Sequence, residues 1–167
     1  MEPLTVVDGN DKVIGDASFE EVYKNKLTHR LVHVLVFNNK GELLLQKIPK
    51  EKSFCPQCWT TSAGGHVKKN EEYEEAAKRE VKEELGISLE LEFFSKELYV
   101  DKQYQVGLNK FIEIYKATYE GPFNLNYEKV EHAEFLSFKK IKKMIENDEK
   151  FTPELIMILN RYFGIKK

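Results

Sequence analysis

The residues of this chain best suited to chemistry are Glu80, Glu83 and Glu84, three glutamates within five positions. On a helix turning about 100° per residue they fall within an arc of roughly 100°, so three carboxylates crowd one face. Like charges at that spacing repel, and a cation among them relieves the repulsion. Carboxylate oxygens are hard ligands that suit Mg²⁺ or Mn²⁺, and Mg²⁺ commonly joins a few carboxylates to substrate phosphates. Taken alone, such a triplet is more often a solvated acidic helix face. Its surroundings favour the chemical reading. Ala76 and Ala77 are small enough to let the helix lie against a sheet. Gly64 and Gly65 end the preceding loop, where missing side chains let backbone approach a ligand closely. Glu71 can reach Arg79 once that loop folds onto the helix, whereas Lys82 points elsewhere.

Residues 65–87 carry a longer pattern: Gly65, five residues, Glu71, seven residues, then Arg79-Glu80-Val81-Lys82-Glu83-Glu84-Leu85-Gly86-Ile87. This resembles the Nudix box at every fixed position: Gly65, Glu71, Arg79, Glu80, Val81, Glu83, Glu84, Gly86 and Ile87. The resemblance implies one Nudix domain over residues 1–167, an α+β chain folded as an α/β/α sandwich around a mixed, largely antiparallel sheet. It implies that Glu80, Glu83 and Glu84 bind Mg²⁺ or Mn²⁺, with the carbonyl of Gly64 as a further ligand. Arg79 and Glu71 pair to orient them. The implied reaction is hydrolysis of a phosphoanhydride bond in a small diphosphate compound, nucleoside diphosphate-linked or other, by an activated water. Glu83 is the first choice of base, and Glu128 and Glu131, in a loop before a late strand, are the alternatives.

Beyond the box, Thr28-His29-Arg30, the run from Val34 to Leu45, and Trp59-Thr60-Thr61-Ser62-Ala63-Gly64-Gly65-His66 resemble the branch holding isopentenyl-diphosphate isomerase and its hydrolase relatives. An isomerase is therefore the competing activity. Those enzymes use a cysteine where Ala63 stands here, and a glutamate pair at positions matching Leu108 and Lys110. Alanine cannot move a proton, and the intact box also favours hydrolysis. His29 and His66 match isomerase histidines, some of them metal ligands; His33 reads as a strand residue and His132 as surface. A module that binds a diphosphate without cleaving it is the third reading, opposed by the complete set of box carboxylates. A phosphate-release assay with and without Mg²⁺ and a prenyl diphosphate isomerisation assay separate the three.

Cys55-Pro56-Gln57-Cys58 invites a zinc or redox reading, but a structural zinc site takes four ligands and no second such pair exists. Loop packing is favoured, with Trp59 and Phe54 in the core.

These residues need a scaffold. The chain has 167 residues, 41% hydrophobic and 32% charged, enough for one domain with a sizeable core. With 26 Lys and Arg against 28 Asp and Glu, no basic excess points to a nucleic-acid polymer. No segment reaches the roughly 20 apolar residues of a membrane span, and no secretory signal is visible. A cytoplasmic protein with a small-molecule partner is expected, and a homodimer is compatible with this. The spacing predicts strands at 4–7, 12–14, 29–37, 42–47, 88–100, 105–119 and 133–137. It predicts helices at 19–25, 71–85, 138–147 and 152–163, with a loop from Pro49 to His66.

Overall fold

The computed structural model describes all 167 residues. At its centre lies β3 (His29–Phe37), which runs parallel to β8 (Asn109–Thr118) from His29↔Lys110 to Phe37↔Thr118. Its other neighbours are antiparallel: β1 (Leu4–Val7), β4 (Leu43–Lys47) and β6 (Ala63–His66). Outward from these lie β2 (Val13–Ala17) on β1, β5 (Trp59–Thr60) and β9 (His132–Leu136) on β4, and β7 (Glu92–Val100) on β8. The sheet has nine strands and is mixed, with antiparallel pairs in the majority as predicted. The segment expected as plain loop contains β5 and β6. They are two and four residues long, and Gly64 and Gly65 hide the strand signal of β6.

Alternation along β3 explains the two layers. Val32, Val34 and Val36 face α2 (Tyr73–Leu85), packing on Ala76, Ala77, Val81 and Leu85. Leu31 and Leu35 face α3 (Phe138–Glu146) and α4 (Pro153–Phe163), packing on Ile141, Leu155 and Ile158. A strand covered on both sides is apolar throughout, which is why it reads as an unbroken Val/Leu run. Ala76 and Ala77 are fully buried, so their small size does bring α2 onto the sheet. Trp59 is buried, but Phe54 is 38% exposed, correcting its placement in the core.

Local signals set the helix ends. In α1 (Phe19–Lys24) Ser18 and Glu21 form a reciprocal capping box. Gly86 ends α2 in the left-handed region at φ 67°. A Cβ there would also meet the carbonyl oxygen of Asn124 at 2.2 Å. That close approach lets residues 124–126 dock on the end of α2, through Asn124 N–H to Leu85 O at 2.9 Å and Asn126 N–H to Glu84 O at 3.0 Å. On the far side, Asp11 in the β1–β2 turn accepts from Arg30 Nε at 2.7 Å, from Tyr73 Oη at 3.0 Å and from Lys96 Nζ. One carboxylate thereby joins the hairpin to β3, to the first turn of α2 and to β7.

Candidate active site

The box folds around Arg79. Its guanidinium donates to both oxygens of Glu71, at 2.6 and 2.9 Å, to Glu80 Oε1 at 2.6 Å, and to the carbonyl of His66 at 2.9 Å. Glu71 also accepts from Lys68 N–H at 2.9 Å. A planar, multiply bonded guanidinium fixes position as well as charge. Burial pushes Glu71 up, but Arg79 and the Lys68 N–H outweigh it and hold the carboxyl below its usual range. The expected Glu71–Arg79 pair is present, and it tethers the loop to α2.

Glu80 is buried beside Gly65, where an added Cβ would meet its Oε1 at 2.2 Å. Burial raises its pKa, partly offset by Arg79. Glu84 accepts from Gln46 Nε2 at 2.8 Å and from Gly64 N–H at 3.1 Å. Burial and the adjacent Glu80 push Glu84 up to about 8. Glu83 accepts from Lys129 Nζ, and for this half-open carboxylate the lysine outweighs burial and lowers the pKa. The Lys129 ammonium also interacts electrostatically with Glu80 and Glu84.

Sequence reasoning missed Lys129. It lies 46 positions from Glu83, and only the docking of residues 124–126 brings it in. Glu128 and Glu131, the alternative bases, are exposed and do not line the cavity; Glu131 instead binds Gln57. In this arrangement no three His, Cys, Asp or Glu side chains form a group poised to hold a metal ion. The carboxylates are occupied by Arg79, Lys129 and Gln46. Gly64 takes part through its N–H, donated to Glu84.

A cavity of about 580 Å³ opens beside these residues. Gln46, Gly64, Gly65, Glu84 and Lys129 line it, together with Lys110, Glu154 and His33, the strand partner of Gly64. Phe19, Tyr23, Phe54 and Tyr104 add aromatic surface. A larger cavity of about 700 Å³, at the Phe37 end of β3, is lined by Glu90, Glu92 and Lys116 among others and contains no box residue.

His29 and His66 stack at 5.3 Å, and burial lowers them to about 4 and about 3. His66 Nε2 bonds Tyr23 Oη at 2.8 Å, and His29 Nδ1 bonds the Leu27 carbonyl at 2.9 Å. Lys110, at one of the isomerase glutamate positions, is buried and pairs with Glu154; Leu108, at the other, is buried and apolar. Ala63 is fully buried among apolar side chains. His132 is exposed, as expected. Cys55 and Cys58 form a disulfide, which corrects the expectation of simple loop packing.

A carboxylate-bearing helix, clamped by an arginine to its preceding loop and laid on a mixed sheet beside a cavity, defines a class of hydrolases. The NUDIX domain pattern matches residues 27–155, and the chain belongs to the Nudix family. Membership supports hydrolase activity on acid anhydrides, and hydrolases of this family generally use divalent cations. The chain is similar to an uncharacterised Nudix hydrolase of Listeria monocytogenes, 33% identical over 99% of this chain and 96% of that protein. It is also similar to an isopentenyl-diphosphate Delta-isomerase of Photorhabdus laumondii, 32% identical over 87% of this chain and 83% of that protein. A solved structure from Deinococcus radiodurans superposes with a TM-score of 0.81 at 24% identity, covering 96% of this chain and 98% of that one. A MutT Nudix hydrolase from Burkholderia pseudomallei gives 0.65 at 21% identity, with 81% and 98% covered. No helix is long and apolar enough to cross a membrane.

Proposed function

We propose that this chain hydrolyses a phosphoanhydride bond in a small organic diphosphate, with Glu80, Glu83 and Glu84 holding Mg²⁺ or Mn²⁺. The observation that carries the reading is the Arg79 clamp, which fixes Glu71 and Glu80, while Glu84, one turn further along α2, lines a cavity of small-molecule size. The donor set fits such an ion. Its oxygens are hard, and the Lys129 ammonium already stands as a monovalent cation against Glu83. When bound, the ion would neutralise phosphate oxygens and acidify a water.

The chain's own residues do the rest. Arg79 and Glu71 hold Glu80 in place, and Gly65 leaves room for it. Glu84 is fixed by Gln46 and Gly64 N–H, and the Gly64 carbonyl is a further oxygen ligand. Glu83 serves as the base: its lowered pKa keeps it charged at neutral pH, and its 34% side-chain exposure admits water. Lys129 then releases Glu83 and is free to face phosphate. The partner is a small molecule rather than a nucleic-acid polymer or membrane. A cytoplasmic setting and a homodimer go with the reading.

Isomerisation of a prenyl diphosphate is the second reading, raised by the isomerase relative. Ala63 and the Lys110–Glu154 pair weigh against it, because neither supplies the proton-moving cysteine or the glutamate pair. The test is cleavage of a panel of diphosphates, read as the phosphomonoesters or phosphate released, with Mg²⁺ or with chelator, for wild type, Glu83→Gln and Glu84→Gln. The reading requires Mg²⁺-dependent release that falls by roughly a hundredfold or more in both variants. Equal turnover in the variants removes the site assignment, and isomerisation without release selects the other enzyme.

A further inference from the structure

Cys55 and Cys58 take no part in the chemistry described so far, yet their disulfide closes a turn at the mouth of the cavity. The two are three positions apart, and a disulfide stabilises a fold more as the loop it closes lengthens. Stapling the fold is therefore a poor account of this one. In the cytoplasmic setting proposed above disulfides are rare, and those present are mostly transient, catalytic or redox-sensing. The backbone points the same way. Cys55 at φ 43° and Gln57 at φ 65° both occupy the left-handed region, which residues other than glycine adopt at a cost. Such conformations persist only where the surroundings hold them. Here the cross-link does so, together with Gln57 N–H to Ile48 O at 3.0 Å and Cys58 N–H to Cys55 O at 3.1 Å.

The turn joins segments from both sides of the cavity. Lys52, Ser53 and Phe54, which lead into Cys55, line it, as do Tyr104 and Gln105 from the connection between β7 and β8. A disulfide sulfur has no hydrogen, so at the 3.3 Å contact with Cys55 Sγ the Tyr104 hydroxyl is the donor. The Phe54 and Tyr104 rings meet edge to face at 5.3 Å. On the other side Gln57 donates to Glu131, in the segment that carries Lys129. Opening the bond balances with one class of reagent, a dithiol. Both cysteines are 3% exposed, so local opening of the turn precedes attack. One thiolate of the dithiol attacks Cys58 Sγ, the S–S bond breaks, and its electron pair leaves on Cys55 Sγ, where the Tyr104 hydroxyl stabilises the charge. The second thiol then displaces Cys58 from the mixed disulfide. Two electrons and two protons pass to the cysteines, and the reductant departs as a disulfide.

We propose that Cys55 and Cys58 form a reversible thiol–disulfide site whose oxidised state pins the Phe54 and Tyr104 segments at the cavity mouth and whose reduced state frees them, so that redox state sets how tightly substrate is held. Only its effect on KM rests on the hydrolase reading. The full chain is compared oxidised and after dithiothreitol, by thiol titration and by amide hydrogen exchange, and then by kinetics. The titratable thiols should rise from none to both cysteines while the protein stays folded. Hydrogen exchange should quicken in residues 48–58 and 101–107 and stay unchanged in α2, whose clamp does not touch the turn. If the freed mouth holds its binding shape about a tenth of the time, KM rises about tenfold, with kcat held. Cys55→Ser with Cys58→Ser should match the reduced protein and ignore the reductant; if that variant does not fold, the two forms of wild type still decide. A disulfide that yields only on unfolding, or equal exchange in the two forms, overturns the proposal. So does an equal KM where cleavage is seen. If no diphosphate is cleaved, the hydrolase reading fails, while thiol titration and hydrogen exchange still judge the site.

Discussion

Gly65→Ala tests how tightly the box is set. The added Cβ would lie 2.2 Å from Glu80 Oε1 and 2.5 Å from its Cδ. An ordinary contact is about 3.5 Å, so the carboxylate must move by more than ~1 Å. It cannot do so freely, because it is buried and Arg79 Nη1 holds its Oε1 at 2.6 Å. Moving it breaks that bond or drags the guanidinium from Glu71. Overpacking of this kind typically costs about 1–3 kcal/mol of stability. A misplacement of about 1 Å at a reacting centre can cost on the order of a hundredfold in rate. The variant should therefore fold, melt a few degrees lower, and lose about a hundredfold in Mg²⁺-dependent turnover. Circular-dichroism melting and the phosphate-release assay read the two effects. Turnover within twofold of wild type would mean that Glu80 is free to relocate, and the argument for a rigid clamp would be lost.

Three other perturbations follow from the same geometry. Lys129→Met removes the ammonium that competes for Glu83; Mn²⁺ should bind several-fold more tightly by calorimetry, while metal-free stability falls by only about 0.5 kcal/mol because the pair is over a third exposed. Unchanged or weaker affinity would refute the competition. Arg79→Lys loses the two-pronged bond to Glu71 and should cost about 2 kcal/mol in urea unfolding; a loss under ~0.5 kcal/mol would show the fork to be dispensable. The metal-free protein should also have a stability maximum near pH 6.5. His29, His33 and His66, depressed to about 4, about 4 and about 3, bind protons in the unfolded chain first, so stability is lost as pH falls below 6.5. Glu84, raised from 4.5 to about 8, keeps its proton in the folded state, so stability also falls as pH rises toward 8. Glu84→Gln should flatten the alkaline side, and an unchanged profile there would count against the burial of that carboxylate.

What could be read from the chain beforehand was local. The box is legible because its partners lie within one loop and one helix: Glu71 and Arg79 are eight residues apart, and Arg79 and Glu80 adjacent. Strand β3 is legible because burial on both faces writes an unbroken apolar run. The cavity wall is not, since Lys110 meets Glu154 across 44 positions and Gln46 meets Glu84 across 38. A lysine in a strand or a glutamate opening a helix is unremarkable until the sheet and α4 are put together. Lys129 was overshadowed by its acidic neighbours Glu128 and Glu131, which are better bases by type but face outward. The isomerase resemblance singled out Lys110 only as a place where a glutamate is missing, and gave no sign of its partner Glu154.

The junction at Asp11 makes the N-terminal hairpin more than an appendage. Arg30 is 9% exposed, and its two side-chain hydrogen bonds both go to this one residue, to the carboxylate and to the carbonyl. Trimming the chain to begin at the family pattern, near residue 27, would strand a desolvated guanidinium and unlatch Tyr73 from its anchor. A minimal catalytic fragment cut at that boundary would thus inherit the whole box and still start with its first helical turn unmoored.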